Sequence, residues 1–167
     1  MVFRIDSADS LNVTDPEIGC LLTEVYVESG LTSSDRAVAL FSPPAVRSRG
    51  QLICARSQRE AVFAGMVIVV PPDSPARHIA YPDETEMHLL AVRQAYRGFG
   101  LGRALVRAAT AIASQLGYHK MVLWTQPIMT AAQALYESEG FLRASDRYPT
   151  MNGIKYLAYD KQWQPVA

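Results

Sequence analysis

Glu86-Met87-His88-Leu89-Leu90-Ala91-Val92-Arg93-Gln94-Ala95-Tyr96-Arg97-Gly98-Phe99-Gly100-Leu101-Gly102 is the stretch that decides the fold. An apolar, strand-like run over Glu86–Val92 passes through a glycine-rich turn and enters a helix that Gly102 opens. The first amides of a helix have no intrahelical acceptor, and the helix dipole concentrates partial positive charge there. Glycines let the main chain approach an anion without intervening Cβ atoms. The turn therefore reads as a phosphate cradle, with Arg97 and Arg103 bracketing it.

Two other phosphate motifs fit less well. Gly-x-x-x-x-Gly-Lys-Ser/Thr does not occur, and the glycines run Gly98, Gly100, Gly102 instead of Gly-x-Gly-x-x-Gly. The stretch Met121–Trp124, where a dinucleotide fold would carry its ribose-binding acid, has none.

Downstream, Leu101, Leu105, Ala108, Ile112 and Leu116 form one predicted apolar stripe, and Gly117 stops the helix. Lys120–Thr125 reads as a buried strand. Thr130 and Gln133 read as a capping box for a short helix through Glu139, which Gly140 ends. Phe141–Arg147 and Ile154–Tyr159 read as strands joined through Asn152–Gly153. Upstream, Val2–Ile5 is a short strand. Thr14-Asp15-Pro16 starts a helix carrying Ile18, Leu21, Leu22 and Val25, and Gly30 stops it. Ser33–Leu40 is a second helix, ended by Pro43–Pro44. Gln51–Ala55 and Ala61–Val70 are strands, the latter covered on both faces, and residues 71–85 form a polar loop. Antiparallel strands followed by strand–helix–strand–helix–strand predict an α/β (α+β) mixed, mostly antiparallel sheet with helices on both faces.

The 167 residues suit a single domain over 1–167, and no repeat or linker interrupts them. Sixteen basic residues balance sixteen acidic ones, which disfavours nucleic acid or a membrane surface as partner. Cys20 and Cys54 are too few for a disulfide framework, and no Cys/His spacing suggests a metal. Cys54 sits in an apolar strand and reads as a buried thiol. The N-terminus lacks a signal-like apolar run, and Ala61–Val70 is too short to span a bilayer. The expected compartment is the cytoplasm.

Arg97-x-x-Gly100-x-Gly102 resembles the acetyl-CoA signature of the GNAT superfamily of N-acetyltransferases. Glu86–Val92 resembles that family's fourth strand, and Ala134-Leu135-Tyr136-Glu137-Ser138-Glu139-Gly140-Phe141 resembles its Ala-x-x-x-Tyr-x-x-x-Gly-Phe segment. The resemblance covers roughly residues 84–160 by motif. It implies that a bulge splays the fourth strand from the fifth and that pantetheine inserts there. Leu90, Ala91 and Val92 would then contact the acetyl and pantetheine groups through their main chains, with the Leu90 N–H donating to the thioester oxygen. The pyrophosphate would rest on the amides of Arg97, Gly98, Phe99, Gly100, Leu101, Gly102 and Arg103.

The implied reaction is direct acetyl transfer from acetyl-CoA to a primary amine of a small molecule or peptide, without a metal. An alkylammonium must lose a proton before it attacks. The resemblance gives Glu86 the position of a base, and strict alternation puts Glu86, His88 and Leu90 on one strand face. Glu86 can equally be a solvated residue ending the acidic loop, and His88 a hydrogen-bonded strand residue or a proton relay. Tyr136 matches the family's acid for the departing thiolate, or else packs in the core. Trp124, Tyr148, Tyr156 and Tyr159 read as core or rim packing. The family often has an Asn near the helix that precedes the tyrosine; here the nearby polar residues are Gln126, Thr130 and Gln133. Residues 30–50 and 71–85 are the expected walls of the acceptor site. A homodimer is compatible with the resemblance. The alternatives are a CoA-binding sensor without chemistry and an acyltransferase for another acyl chain or acceptor.

Overall fold

A computed structural model describes residues 1–147, 149–151 and 153–164. The elements are β1 (Phe3–Ser7), α1 (Asp15–Leu22), α2 (Ser34–Leu40), α3 (Pro43–Arg47), β2 (Gln51–Ser57), β3 (Phe63–Val70) and β4 (Thr85–Val92). They continue with α4 (Leu101–Gln115), β5 (Lys120–Thr125), α5 (Thr130–Ser138), β6 (Leu142–Arg143), β7 (Thr150–Met151), β8 (Ile154–Lys155) and β9 (Leu157–Gln162). The main sheet has the order β1-β2-β3-β4-β5-β9-β6, and β7 pairs with β8 apart from it. Only β4 and β5 run parallel; every other neighbouring pair in that sheet is antiparallel. This is the mixed, mostly antiparallel sheet expected.

All eight residues of β3 are buried. Its side chains alternate between two cores. Ala64, Val67 and Val69 face α4 and α5, while Met66, Ile68 and Val70 face α1. A strand covered on both faces needs no polar alternation.

The caps follow local chemistry in part. Thr14 accepts from the Glu17 amide, and the Glu17 carboxylate accepts from the Thr14 amide at 2.8 Å. Beyond Leu22 the helix widens into a π-helical turn over Thr23–Val27. Pro43 and Pro44 do not merely end α2: they open α3, because a first helical turn has no use for their missing N–H.

The buried stripe of α4 is rotated from the expected one. Leu101, Leu105, Val106, Ala109 and Ala113 are buried, whereas Leu116 is 57% exposed. The helix packs on β2, β3 and β4, and that contact buries Val106, Ala109 and Ala113 in place of Ala108, Ile112 and Leu116. The expected Thr130–Gln133 box does not form. Thr130 is already helical, and the Gln133 side chain donates through Nε2 to the carbonyls of Gln126 and Pro127. Phe141–Arg147 shrinks to β6 because the chain turns at Ala144, where the Arg147 amide donates to the Ala144 carbonyl. The expected strand Ile154–Tyr159 divides at Tyr156 into β8 and β9. Tyr148 and Asn152 lie outside the described residues.

Among the described residues no helix is long and apolar enough to cross a membrane, and no group of three metal-ligating side chains gathers. Cys54 is buried, and desolvation pushes its thiol up to about 12.

Candidate active site

The site begins with a defect in β4. Met66 pairs with Ala91 and Ile68 with His88, so Leu89 and Leu90 together oppose Val67. Leu89 takes φ 49°, a left-handed conformation that a non-glycine residue adopts only where the surroundings impose it. This two-against-one bulge reverses the alternation. Glu86 and His88 pair with Val70 and Ile68 on the α1 side, while Leu90 packs on the α4 side. Glu86, His88 and Leu90 therefore do not share a face.

The same strand loses its other neighbour. β4 pairs with β5 only over Thr85–Met87, against Met121–Leu123. Among the described residues Leu90 has no partner on the β5 side, and its carbonyl accepts from the Tyr26 hydroxyl at 3.0 Å. A groove of about 610 Å³ opens beside it, lined by Leu90, Val92, the Arg97–Arg103 turn and one side of α5. Ala91 turns into the α1-side core, so only its main chain is near the groove. The Phe99 side chain is 53% exposed and also stays out of the groove.

At the mouth of α4, Gly98 and Gly100 take φ 81° and 79°. No neighbouring atom would touch a Cβ at either position, so it is the left-handed backbone that demands glycine. The resulting turn leaves the amides of Gly98, Phe99, Gly100, Leu101, Gly102 and Arg103 without an acceptor among the described residues. Ala104 is the first to find one, the Gly100 carbonyl at 3.0 Å. Arg97 differs from its neighbours: its amide donates to the Gln94 carbonyl at 3.2 Å, and its Nε donates to the Val92 carbonyl at 3.0 Å. The free amides thus start at Gly98. Arg103 is paired with Glu139 at 2.8 Å, which Arg107 also holds at 2.7 Å.

A second cavity of about 260 Å³ shares Leu90 and Met129 with the groove. His88, Trp124, Tyr136, Phe41, Arg36 and Arg49 are among its lining residues. Glu86 is not. It is fully buried behind His88, where its carboxylate accepts from the amides of His78 at 2.8 Å, Ile79, and Ala80 at 2.5 Å. The same carboxylate lies 2.7 Å from His88 Nε2. Burial opposes the charge on Glu86, yet these donors hold its carboxyl below the usual range, so it is ionised. An ionised carboxylate only accepts, which puts the His88 proton on Nε2 and the lone pair on Nδ1. Nδ1 is buried and has no partner among the described residues. Burial outweighs the carboxylate and pulls the His88 pKa down, leaving the ring neutral near pH 7.

Tyr136 is buried at the other side of the cavity, and its hydroxyl makes no hydrogen bond among the described residues. Burial pushes its phenol up, so it stays protonated over the whole accessible range. Residues 30–50 do wall this cavity, through Thr32, Arg36, Leu40, Phe41 and Arg49. Residues 71–85 do not, because the loop is folded over Glu86 and pinned there by Arg147, which bonds Glu84 at 2.6 and 2.8 Å and the Ile79 carbonyl at 3.0 Å. Met151 and Tyr156 take its place. Tyr26 and Arg49 carry no local sequence signal; only the tertiary fold brings them to the cavity.

The overall shape of the chain is found in known proteins. An acetyltransferase of the GNAT family from Staphylococcus aureus superposes with TM-score 0.70 at 14% identity, covering 96% of this chain and 99% of the other. A Bacillus subtilis acetyltransferase solved in complex with CoA superposes with TM-score 0.68 at 20% identity, covering 98% and 100%. By sequence, rat N-acetyltransferase family 8 member 3 is 31% identical over 103 residues, which is 62% of this chain and 39% of that protein. The matched stretch is thus well under two thirds of the relative's length. The model of the acetyltransferase (GNAT) family matches residues 18–141, from α1 through the cradle to the end of α5, and on that match the chain belongs to the GNAT acetyltransferase family.

Proposed function

We propose that the chain is one catalytic domain that transfers the acetyl group of acetyl-CoA to a primary amine, by direct attack in a ternary complex. One observation carries this reading: two cavities meet at Leu90, one beginning at a row of acceptor-less amides and the other holding a neutral histidine and a protonated tyrosine. The names of the family and of the rat relative, and the CoA in the Bacillus subtilis neighbour, support it.

The amides from Gly98 to Arg103 would hold the pyrophosphate, and the splayed edge at Leu90–Val92 the pantetheine arm. Because His88 lines the cavity and Glu86 does not, the proton acceptor is assigned to His88, with Glu86 as the residue that orients it. His88 Nδ1, directly or through a water, takes the proton of the attacking amine. The amine nitrogen bonds the thioester carbon, the C–S bond breaks, and Tyr136 protonates the leaving thiolate. Developing negative charge on the thioester oxygen is met by the Leu90 N–H.

Calorimetry with acetyl-CoA and CoA, followed by thiol release in the presence of amines, tests the reading. Micromolar or tighter binding and amine-dependent thiol release are expected. Absence of binding by the folded chain refutes the whole reading, whereas binding with silence across broad amine and peptide panels favours a CoA sensor.

A further inference from the structure

The second cavity has a one-sided charge. Arg36 and Arg49 line it, no carboxylate does, and neither arginine forms an ion pair among the described residues. Arg49 is half-buried, and one of its terminal nitrogens, Nη2, donates to the Leu40 carbonyl at 2.6 Å, which aims the guanidinium without neutralising it. A partly desolvated guanidinium with no counter-charge is costly unless a ligand supplies one. The rest of the wall consists of aromatic and apolar side chains, with the neutral polar groups of Thr32, Thr125, Gln126 and His88 among them. Trp124 stands edge-on to His88 at 4.5 Å between ring centres, with Phe41 and Met87 nearby.

We infer that the acceptor is a small, amino-acid-like amine whose carboxylate is held by Arg49 and Arg36 and whose apolar side chain lies against Trp124 and Phe41. This rests on the acetyl-transfer reading above. Three physical points support it. A guanidinium matches a carboxylate through two parallel N–H donors, a geometry that ammonium or neutral groups cannot replace. The volume of about 260 Å³ lies below the roughly 300–1,000 Å³ typical of drug-sized sites. Two cations beside the amine also disfavour its ammonium form, so they promote the neutral nucleophile the reaction needs. Polyamines and aminoglycosides, by contrast, meet only repulsion here.

The test uses the full chain and three apolar α-amino acids (leucine, methionine, phenylalanine), with their carboxamides and decarboxylated amines, and spermidine. Calorimetry first establishes CoA binding, whose absence sinks the transfer reading and not this inference alone. Binding of each amine to the CoA-loaded protein and thiol release with acetyl-CoA are then measured, with rates expressed per free amine. For at least one amino acid, the acid is expected to exceed its carboxamide and its decarboxylated amine by roughly ten- to a hundredfold in affinity or kcat/KM. Arg49→Gln should reduce that ratio to within about threefold, Arg49→Lys should restore part of it, and acetyl-CoA affinity should not move. Arg36→Gln provides a second reading should Arg49→Gln fail to fold. Equal handling of acid and amide by the wild type, preference for spermidine, a ratio unchanged in both arginine variants, or no binding of any acid overturns the inference.

Discussion

Glu86→Gln separates two chemistries that the same strand offers. The carboxylate faces three loop amides and His88 Nε2 at 2.7 Å, with side-chain exposures of 0% for Glu86 and 5% for His88. Glutamine keeps one acceptor oxygen for the loop but removes the charge that supports an imidazolium. Since Glu86 raises the His88 pKa against the larger downward effect of burial, losing the charge lowers that pKa further. A charge-assisted hydrogen bond is worth roughly 1.5–3 kcal/mol, so a bond realised as His88 gains its proton corresponds to a roughly ten- to hundredfold loss in kcat/KM. The assay is kcat/KM against pH with two acceptor amines of different basicity; the limb that stays put when the amine changes belongs to the protein. Expected are a lower plateau and a movement of that limb to lower pH in Glu86→Gln, and a loss of the limb in His88→Gln. A limb that survives His88→Gln but vanishes in Glu86→Gln would refute the assignment and make the carboxylate itself the base.

Three further outcomes follow from the same geometry. Tyr136→Phe should lower kcat by roughly 10²-fold with acetyl-CoA affinity unchanged, read by turnover and calorimetry; equal turnover removes the acid role. Gly100→Ala places a Cβ at φ 79° in open space, so thermal unfolding should report a loss of about 1–2 kcal/mol from backbone strain alone, together with weaker CoA binding. At Glu84 burial favours the neutral acid, but Arg147, the Tyr81 amide and Lys120 hold the carboxyl down to about 2 from 4.5. Because the folded pKa lies below the unfolded one, the contribution is complete above about pH 4.5 and is lost as pH falls toward 2. Glu84→Gln should therefore cost about 3 kcal/mol at pH 7, and its stability should converge on wild type in acid; a constant gap down to pH 2 would contradict this.

Much of the site was readable because it is local. Strand, glycine turn and helix mouth lie within one run of consecutive residues, so the free amides at Gly98–Arg103 follow from chain geometry wherever that run folds this way. The burial of β3 followed equally from its composition. The expectation that Glu86, His88 and Leu90 share one face failed because alternation assumes an unbroken strand, and the bulge at Leu89–Leu90 breaks it. The expected box at Thr130 failed for a local reason: Thr130 is itself the first helical residue, and the Gln133 side chain donates to the Gln126 and Pro127 carbonyls just before it.

Sequence alone therefore determined the glycine turn at the mouth of α4, where a few adjacent residues create unpaired donors and no distant partner is needed. Tertiary structure alone decided the second cavity. There, Tyr26 bonds Leu90 from 64 positions away, Arg49 comes from the segment after α3, and Trp124 reaches His88 from β5. The neutral state of His88 and the one-sided charge of the cavity depend on desolvation and on those long-range contacts. Both exist only once the two sheet faces are covered.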